Sequence, residues 1–215
     1  MMKWIEILSK TGEHLYLSFT ALFIACLIAI PLGIYFANHD RLATPVIRVV
    51  QVIQTIPSLA LLGFMVPIFG IGTLPAIIAL ILYSLLPVLQ NTFTGIREVD
   101  KSLIEIGTGM GMTKRQILWL VQLPMARSVI MAGVRMAAVQ TISVATIATF
   151  IGAGGLGDLI MRGIGMLDTA MILTGAIPTA LLAIILDRLL LYLDDKLTPK
   201  GLRKKRKKQI SGELK

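Results

Sequence analysis

An all-α integral membrane fold with about five transmembrane helices is what this sequence predicts, and three observations predict it. Of 215 residues, 55% are hydrophobic and only 15% charged, with mean hydropathy +0.80, whereas a soluble domain carries about a quarter charged residues. The apolar residues fall in runs of about 20 with few or no charges, the length that crosses a hydrocarbon core roughly 30 Å thick. One polar stretch, residues 97–127, interrupts those runs. It must project into water, because a folded polar loop cannot face lipid.

The first span covers residues 15–36, uncharged throughout, and reaches about 33 Å at roughly 1.5 Å per residue. Tyr16 and Tyr35 stand near its ends, where amphipathic rings favour the headgroup level. Residues 1–14 contain Glu6 and Glu13 and no small-residue cleavage site, so they do not read as a removable signal peptide. Residues 38–44 form a short polar turn. A second span covers residues 46–69, with Pro57 in its middle and Pro67 near its far end, and a tight turn follows over 69–73. The third covers residues 74–93 and contains Pro87.

Beyond the polar insert, the fourth span covers residues 128–151. The glycine-rich residues 152–165, with Gly152, Gly154, Gly155, Gly157 and Asp158, read as a flexible outer loop that lets helices approach closely or gates a pathway. The fifth span covers residues 169–186, with Pro178 inside and Asp187 and Arg188 at its end. Pro57, Pro87 and Pro178 offer mid-membrane bends whose freed carbonyls neighbouring helices can satisfy. Residues 1–195 thus form one transmembrane domain, and 196–215 a basic tail with Arg203, Lys204, Lys205, Arg206, Lys207 and Lys208, expected to be disordered at its tip.

Charge sets the orientation. The insert carries Arg97, Lys101, Lys114, Arg115 and Arg127, and basic loops stay cytoplasmic. Five spans then put the N-terminus outside and the C-terminus inside. On that topology 17 of the 21 Lys and Arg residues lie inside and three outside. Net charge is +9, yet the basic tail directly after a span reads as an orientation signal that attracts anionic lipid, worth about 1 kcal/mol per residue. It does not read as a nucleic-acid site.

Several chemistries are excluded by what the spans lack. Cys26 is the lone cysteine, and His14 and His39 lie at opposite ends of one span, so no disulfide framework, metal site or facing haem ligands are expected. No intramembrane Asp pair, Ser–His pair or metal-ligand set argues for an enzyme. Gly152, Gly154 and Gly157 match G-x-G-x-x-G, but a dinucleotide site needs a preceding strand, and a membrane span precedes this one. No G-x-x-x-x-G-K-[ST] occurs, so the chain is not expected to bind ATP through a P-loop, and any ATP energy would come from a partner.

Within the insert, Ser102 to Glu105 and Thr113 to Gln116 each have the spacing of a capping box, the reciprocal bonding that starts a helix. Gly107, Gly109 and Gly111 fall between them, predicting two short helices joined by a glycine turn with Gly111 at positive φ. Pro124 marks a break before span four. On spacing alone, an amphipathic loop lying on the membrane remains open. Trp119 and Leu120 are read either as an anchor for the second helix or as part of an aromatic belt.

Span four carries Ala138, Thr141, Ala145, Ala148 and Gly152 along one side, a strip that lets backbones pack closely in lipid. Gln140, Ser143 and Thr146 make a weaker polar face, either lining a path or bonding within and between helices. Gln51, Gln54, Ser58, Tyr83 and Ser84 are further candidates of the same kind. Arg135 lies about 10 Å into the span. Intramembrane charge is costly and hints at function, though arginine at that depth also snorkels; Asp187 is its nearest plausible partner.

Glu105, Gly111 and Leu123-Pro124 match the EAA-loop signature of ABC-importer permeases: E-A-A, three residues, G, nine residues, I, one residue, L-P. Ile106 and Gly107 replace the two alanines and Val121 the isoleucine. Over residues 15–195 the chain resembles the short permease subunit of osmoprotectant importers, of the OpuB/OpuC and ProW type. Residues 54–60 (QTIPSLA) and 151–158 (IGAGGLGD) are similar to further segments of that family. The resemblance implies a type I ABC importer permease-like fold. It also implies that Glu105, Ile106, Gly107, Gly111, Met112, Leu123 and Pro124 couple the chain to a cytoplasmic ABC ATPase that binds ATP and Mg. A second permease subunit, identical or homologous, and an extracellular substrate-binding protein are its other implied partners.

The substrate class implied is glycine betaine, carnitine or choline. Such cations are held by aromatic cages, and Trp4 and Trp119 lie outside the spans, so the chain looks poor at high-affinity capture; the resemblance implies that the binding protein does that job. The alternatives are a permease for another small solute such as an amino acid, or a stand-alone secondary transporter. The latter needs ionisable groups within its spans, where only Arg135 qualifies.

Overall fold

The computed structural model describes residues 4–197, nearly all of them helical. In chain order the helices are α1 (Trp4–Ala37), α2 (Asp40–Thr55), α3 (Ser58–Phe69), α4 (Thr73–Arg97), α5 (Lys101–Gly109), α6 (Lys114–Ile117), α7 (Leu123–Ile147), α8 (Gly157–Met166) and α9 (Thr169–Leu197). A π-turn, Leu118–Gln122, joins α6 to α7, and a 3₁₀ turn, Ala148–Ile151, ends α7. Of the basic tail read from the sequence, Lys196 and Leu197 end α9 and the rest lies outside the described residues.

Four helical runs are long and apolar enough to cross a bilayer: Trp4–Ala37, Thr73–Arg97, Lys114–Ile151 and Thr169–Lys196. The predicted second span is not a straight helix. Pro57 lacks an N–H and disfavours helical geometry at Ile56 before it, so α2 and α3 meet at 98°. Counted as one bent unit, they bring the candidate crossings among the described residues to five. Pro87 and Pro178 sit inside continuous helices, so of the three predicted bends only Pro57 becomes a break.

Core packing centres on α4, which lies against α1 on one side and α7 on the other. Leu17, Ala21, Leu62, Leu80, Val144 and Ala145 fill the layer far from the insert. Leu22, Ala29, Val88, Leu89, Ala137 and Ile142 fill the middle, and Ile96, Val99, Ala126 and Ile130 the layer beneath the insert. With lipid as apolar as leucine, close backbone approach and hydrogen bonds must hold such helices together. Gly133 provides the approach: a Cβ there would stand 2.5 Å from the Pro87 carbonyl oxygen. Ser84 and Thr141 provide the bond, their buried hydroxyls 2.7 Å apart across α4 and α7. Four residues of the predicted small-residue strip, Ala138, Thr141, Ala145 and Ala148, are buried in this core, while the fifth, Gly152, is exposed.

Large apolar side chains such as Phe19 and Phe23 on α1 and Ile177, Leu181, Ile184 and Ile185 on α9 point outward, as expected of surfaces that meet lipid or another membrane chain. Residues 152–165 differ from the expected loop. Only a short turn precedes α8, and α8 packs against α9.

Candidate functional site

The polar insert folds into a helical hairpin whose every turn has an identifiable cause. Asp100, not Ser102, caps α5: its carboxylate accepts the Ser102 N–H at 2.9 Å. Gly107 and Gly109 lie inside α5 instead of in the turn. The turn itself is a Schellman closure, with Gly111 at φ +80. The Met112 N–H reaches the Gly107 carbonyl at 3.0 Å and the Gly111 N–H the Thr108 carbonyl at 2.9 Å, the bonding that satisfies a helix's last carbonyls. The Met112 sulfur covers Gly107, which has no side chain to keep it away. Thr113 and Gln116 then form the predicted capping box around α6.

Pro124 does not break the chain. The Leu123 N–H bonds to the Leu118 carbonyl, five residues back, and this π-turn absorbs the proline in the first turn of α7. Lys114–Ile151 therefore runs as one helical lever of 38 residues. Its root is held by Ile96, Val99, Ala126 and Ile130, with Leu118, Leu123 and Met125 packed around them. The hairpin tip is open: Glu105 is exposed, Ile106 is 59% exposed and Met110 75%. An exposed apolar knob with basic neighbours Lys101, Lys114 and Arg115 is a surface shaped for a partner. Trp119 and Leu120 also point outward. The turn at Asn38 and His39 lines a groove with Ile104, Thr108 and Lys114, so that turn and the insert share one face of the bundle.

Gln54 and Tyr83 are brought together at the break between α2 and α3. The Gln54 side-chain amide donates to the Tyr83 carbonyl at 2.8 Å, and the Tyr83 hydroxyl donates to the Ile56 carbonyl. Ser58 opens α3 beside them. Tyr83→Phe removes the donor at the break and should cost about 1 kcal/mol, read as a melting temperature about 2–4 °C lower for the solubilised protein.

On α7, Ser143 and Thr146 bond back to the Val139 and Ser143 carbonyls, the intrahelical option. Ser143 is exposed, and Gln140 and Thr146 are half-buried. The three therefore lie away from the buried contact with α4. Arg135 meets Asp187, as anticipated: its Nε donates to Oδ1 at 2.8 Å and its Nη2 to Oδ2 at 3.0 Å.

At the end of the bundle far from the insert, the glycine-rich segment is latched down. Gly152, Gly154 and Gly155 all have positive φ, which lets the chain fold flat over α1. The Gly155 N–H donates to Glu13 at 2.9 Å, and Lys10 bridges Glu13 at 2.9 Å and Asp158 at 2.7 Å. The Thr149 hydroxyl lies 2.9 Å from both the Gly154 carbonyl and Asp158. Burial works against the charged Asp158 carboxylate, but the Lys10 ammonium and the Thr149 hydroxyl outweigh it and hold the group below its usual range. Nearby, the buried His14 ring bonds the Ile142 carbonyl through Nε2 at 3.1 Å, tying α1 to α7. Neither Glu13 nor His14 stands out as a site residue in the sequence, since the Gly155 and Ile142 groups they bond lie more than a hundred residues away. The Lys10–Glu13 spacing, one turn of helix, was the available signal.

Comparison with known proteins gives this geometry its context. Residues 29–199 match the model of the binding-protein-dependent transport system inner membrane components. The chain is 49% identical over 201 residues to the carnitine transport permease protein OpuCB of Listeria monocytogenes, covering 94% of this chain and 92% of that one. It is 47% identical over 197 residues to the glycine betaine/carnitine/choline transport system permease protein OpuCB of Bacillus subtilis, covering 92% and 91%. Its fold resembles an inward-facing structure of the MetNI methionine ABC transporter, with TM-score 0.76 and 23% identity over 92% of this chain and 98% of that one. A match over most of the length, with relatives near half identical, settles the family: this chain belongs to the binding-protein-dependent transport system inner membrane components, among the permeases of osmoprotectant ABC importers.

Proposed function

We propose that the chain is the membrane-spanning permease subunit of an ATP-driven importer of glycine betaine, carnitine or choline. It carries no catalytic role of its own in this reading; a cytoplasmic ATPase binds ATP and Mg and hydrolyses the nucleotide. The observation that carries the reading is the hairpin closed by Gly111. Its exposed tip at Glu105, Ile106 and Met110 is joined through that closed turn to the 38-residue helical run through the bundle. A push on that tip is transmitted as a tilt of α7, because neither the Schellman turn nor the π-turn leaves slack. For ATP to drive the switch, the ATPase must bind one tilt state more tightly than the other.

Two permease chains would enclose the pathway, the Gln140, Ser143 and Thr146 side of α7 facing it, and an extracellular binding protein would deliver substrate to the end capped by Gly152 to Asp158. The N-terminus then lies outside and the C-terminus in the cytoplasm. Support for the substrate class comes from the names of the relatives given above. Deleting the gene in a strain stripped of other osmoprotectant importers should abolish uptake of labelled betaine, carnitine or choline at high osmolarity. Uptake equal to the parent's would reject the substrate assignment. A cysteine placed at Thr113 should react with an impermeant thiol reagent only from the cytoplasmic side, and reaction from the exterior would reject the coupling role.

A further inference from the structure

The Arg135–Asp187 pair is built unlike a sealed structural ion pair. Arg135 lies about 24 Å along the helix from Ile151, and Asp187 about 27 Å along α9 from Thr169, at roughly 1.5 Å per residue. Arg135 therefore sits within its span and Asp187 at the inner end of its own, where an ionised group is costly. Yet the two side chains remain 23% and 31% exposed. They open onto a shallow surface depression that is otherwise lined by Ala132, Met136, Val139 and Gln140. Arg135 spends Nε and Nη2 on the carboxylate. Its remaining nitrogen, Nη1, has two N–H groups and no acceptor among the described residues.

We infer that this pair is a binding station for a zwitterion with a carboxylate at one end and a quaternary ammonium at the other. The inference rests on the transport reading above and deepens it. A ligand of that kind laid antiparallel on the pair places its carboxylate against the free edge of Arg135, within reach of the Gln140 amide. Its cation then faces Asp187. A trimethylammonium group donates no hydrogen bond, so Asp187 keeps both bonds to Arg135 while adding a second positive neighbour. A primary ammonium would instead compete with Arg135 for the same oxygens. The methyl groups meet Met136, Val139 and Ala132, soft apolar surfaces suited to a weakly hydrated cation. The ligand and the pair are each net neutral, which keeps the station's cost low in a medium that penalises net charge.

This geometry has a specificity consequence. Choline, which has the cation but no carboxylate, leaves the Arg135 edge unpaired and binds this station less well than glycine betaine does. The test uses the assembled importer, purified with its partner subunits and without nucleotide. Cys26→Ala makes a Val139→Cys substitution the only cysteine of this chain. The reporter is labelled by a thiosulfonate reagent that itself carries a trimethylammonium group, and modification is read as the mass shift of this chain. Saturating glycine betaine should slow labelling about fivefold, choline should slow it less than about twofold, and Arg135→Gln with Asp187→Asn should remove the betaine protection. Equal protection by the two compounds, protection that persists in the double variant, or no protection by betaine would each overturn the station. Because protection is read without transport, a complex that takes up betaine yet shows none refutes the station and leaves the transport reading standing. The betaine–choline comparison is made on the intact pair, so it holds even where the double variant fails to assemble.

Discussion

Gly111→Val should strip most of the ATPase from this chain when the complex is purified, and uptake should fall with it by about tenfold, the factor that roughly 1.4 kcal/mol supplies. The argument is one of backbone geometry. Gly111 has φ +80, and a Cβ built there would meet nothing within 4 Å. Crowding therefore plays no part. An L-residue in that conformation costs about 1–2 kcal/mol, and a β-branched one more, because its second branch clashes with its own backbone. The strain is relieved by giving up the Met112 and Gly111 bonds that close the turn, which lets Ile106 and Met110 drift from the position the ATPase grips. Gly111→Asn, a residue that tolerates the left-handed region, should stay within about twofold of wild type, and Gly111→Ala should fall between. Gly109→Ala is the control: Gly109 sits in α5 with open space around it and ordinary φ, and should be neutral. If Asn and Val at position 111 weaken the complex equally, the left-handed turn is not what positions the hairpin.

Span number and order, the insert, the Thr113 capping box, the Gly111 turn and the Arg135–Asp187 pair were all legible from the residues. Each rests on a local rule: an uncharged run, a three-residue spacing, a glycine after a helix, or a charge with one partner in reach. What was not legible depends on distant atoms. Asp100 outcompetes Ser102 as the α5 cap because its carboxylate reaches the Ser102 N–H, a choice between adjacent candidates that spacing does not make. Pro124 was read as a break, since proline removes one helical bond. The structure widens a single turn to a π-turn and keeps the helix running. Pro57 shows the opposite outcome: the Tyr83 hydroxyl waits to satisfy the carbonyl that the break frees. The glycine-rich segment read as a flexible loop because its composition is that of one. Glu13, Lys10 and Thr149 pin it from residues that no pattern within the segment announces. The translocation candidates divide the same way, with Gln54 and Tyr83 joined across 29 residues and Ser143 and Thr146 bonded within their own helix.

Gly157→Ala should be the most damaging single methyl group in the chain. A Cβ at Gly157 would stand 2.1 Å from the Thr146 carbonyl oxygen, 2.9 Å from its carbonyl carbon and 3.0 Å from its Cα. All three are backbone atoms of α7, so no side chain can swing aside and α8 has to lift off bodily. Overpacking of this kind costs about 1–3 kcal/mol where side chains can yield, and with backbone on the receiving side the upper end or beyond is expected. The solubilised protein should melt about 6–12 °C lower, at about 2–4 °C per kcal/mol for a chain of this size. Gly165, in the same helix but with nothing within 4 Å, separates crowding from helix propensity. Gly165→Ala should leave melting unchanged or raise it, because alanine is favoured over glycine in a helix by up to about 1 kcal/mol. Lifting α8 also pulls Asp158 away from Lys10 and Thr149. Trypsin cleavage after Lys10 or Arg162 should therefore quicken in Gly157→Ala and not in Gly165→Ala. A Gly157→Ala protein that melts and resists trypsin like wild type would mean that α7 and α8 are farther apart than this packing requires, and the latch over the far end of the bundle would lose its foundation.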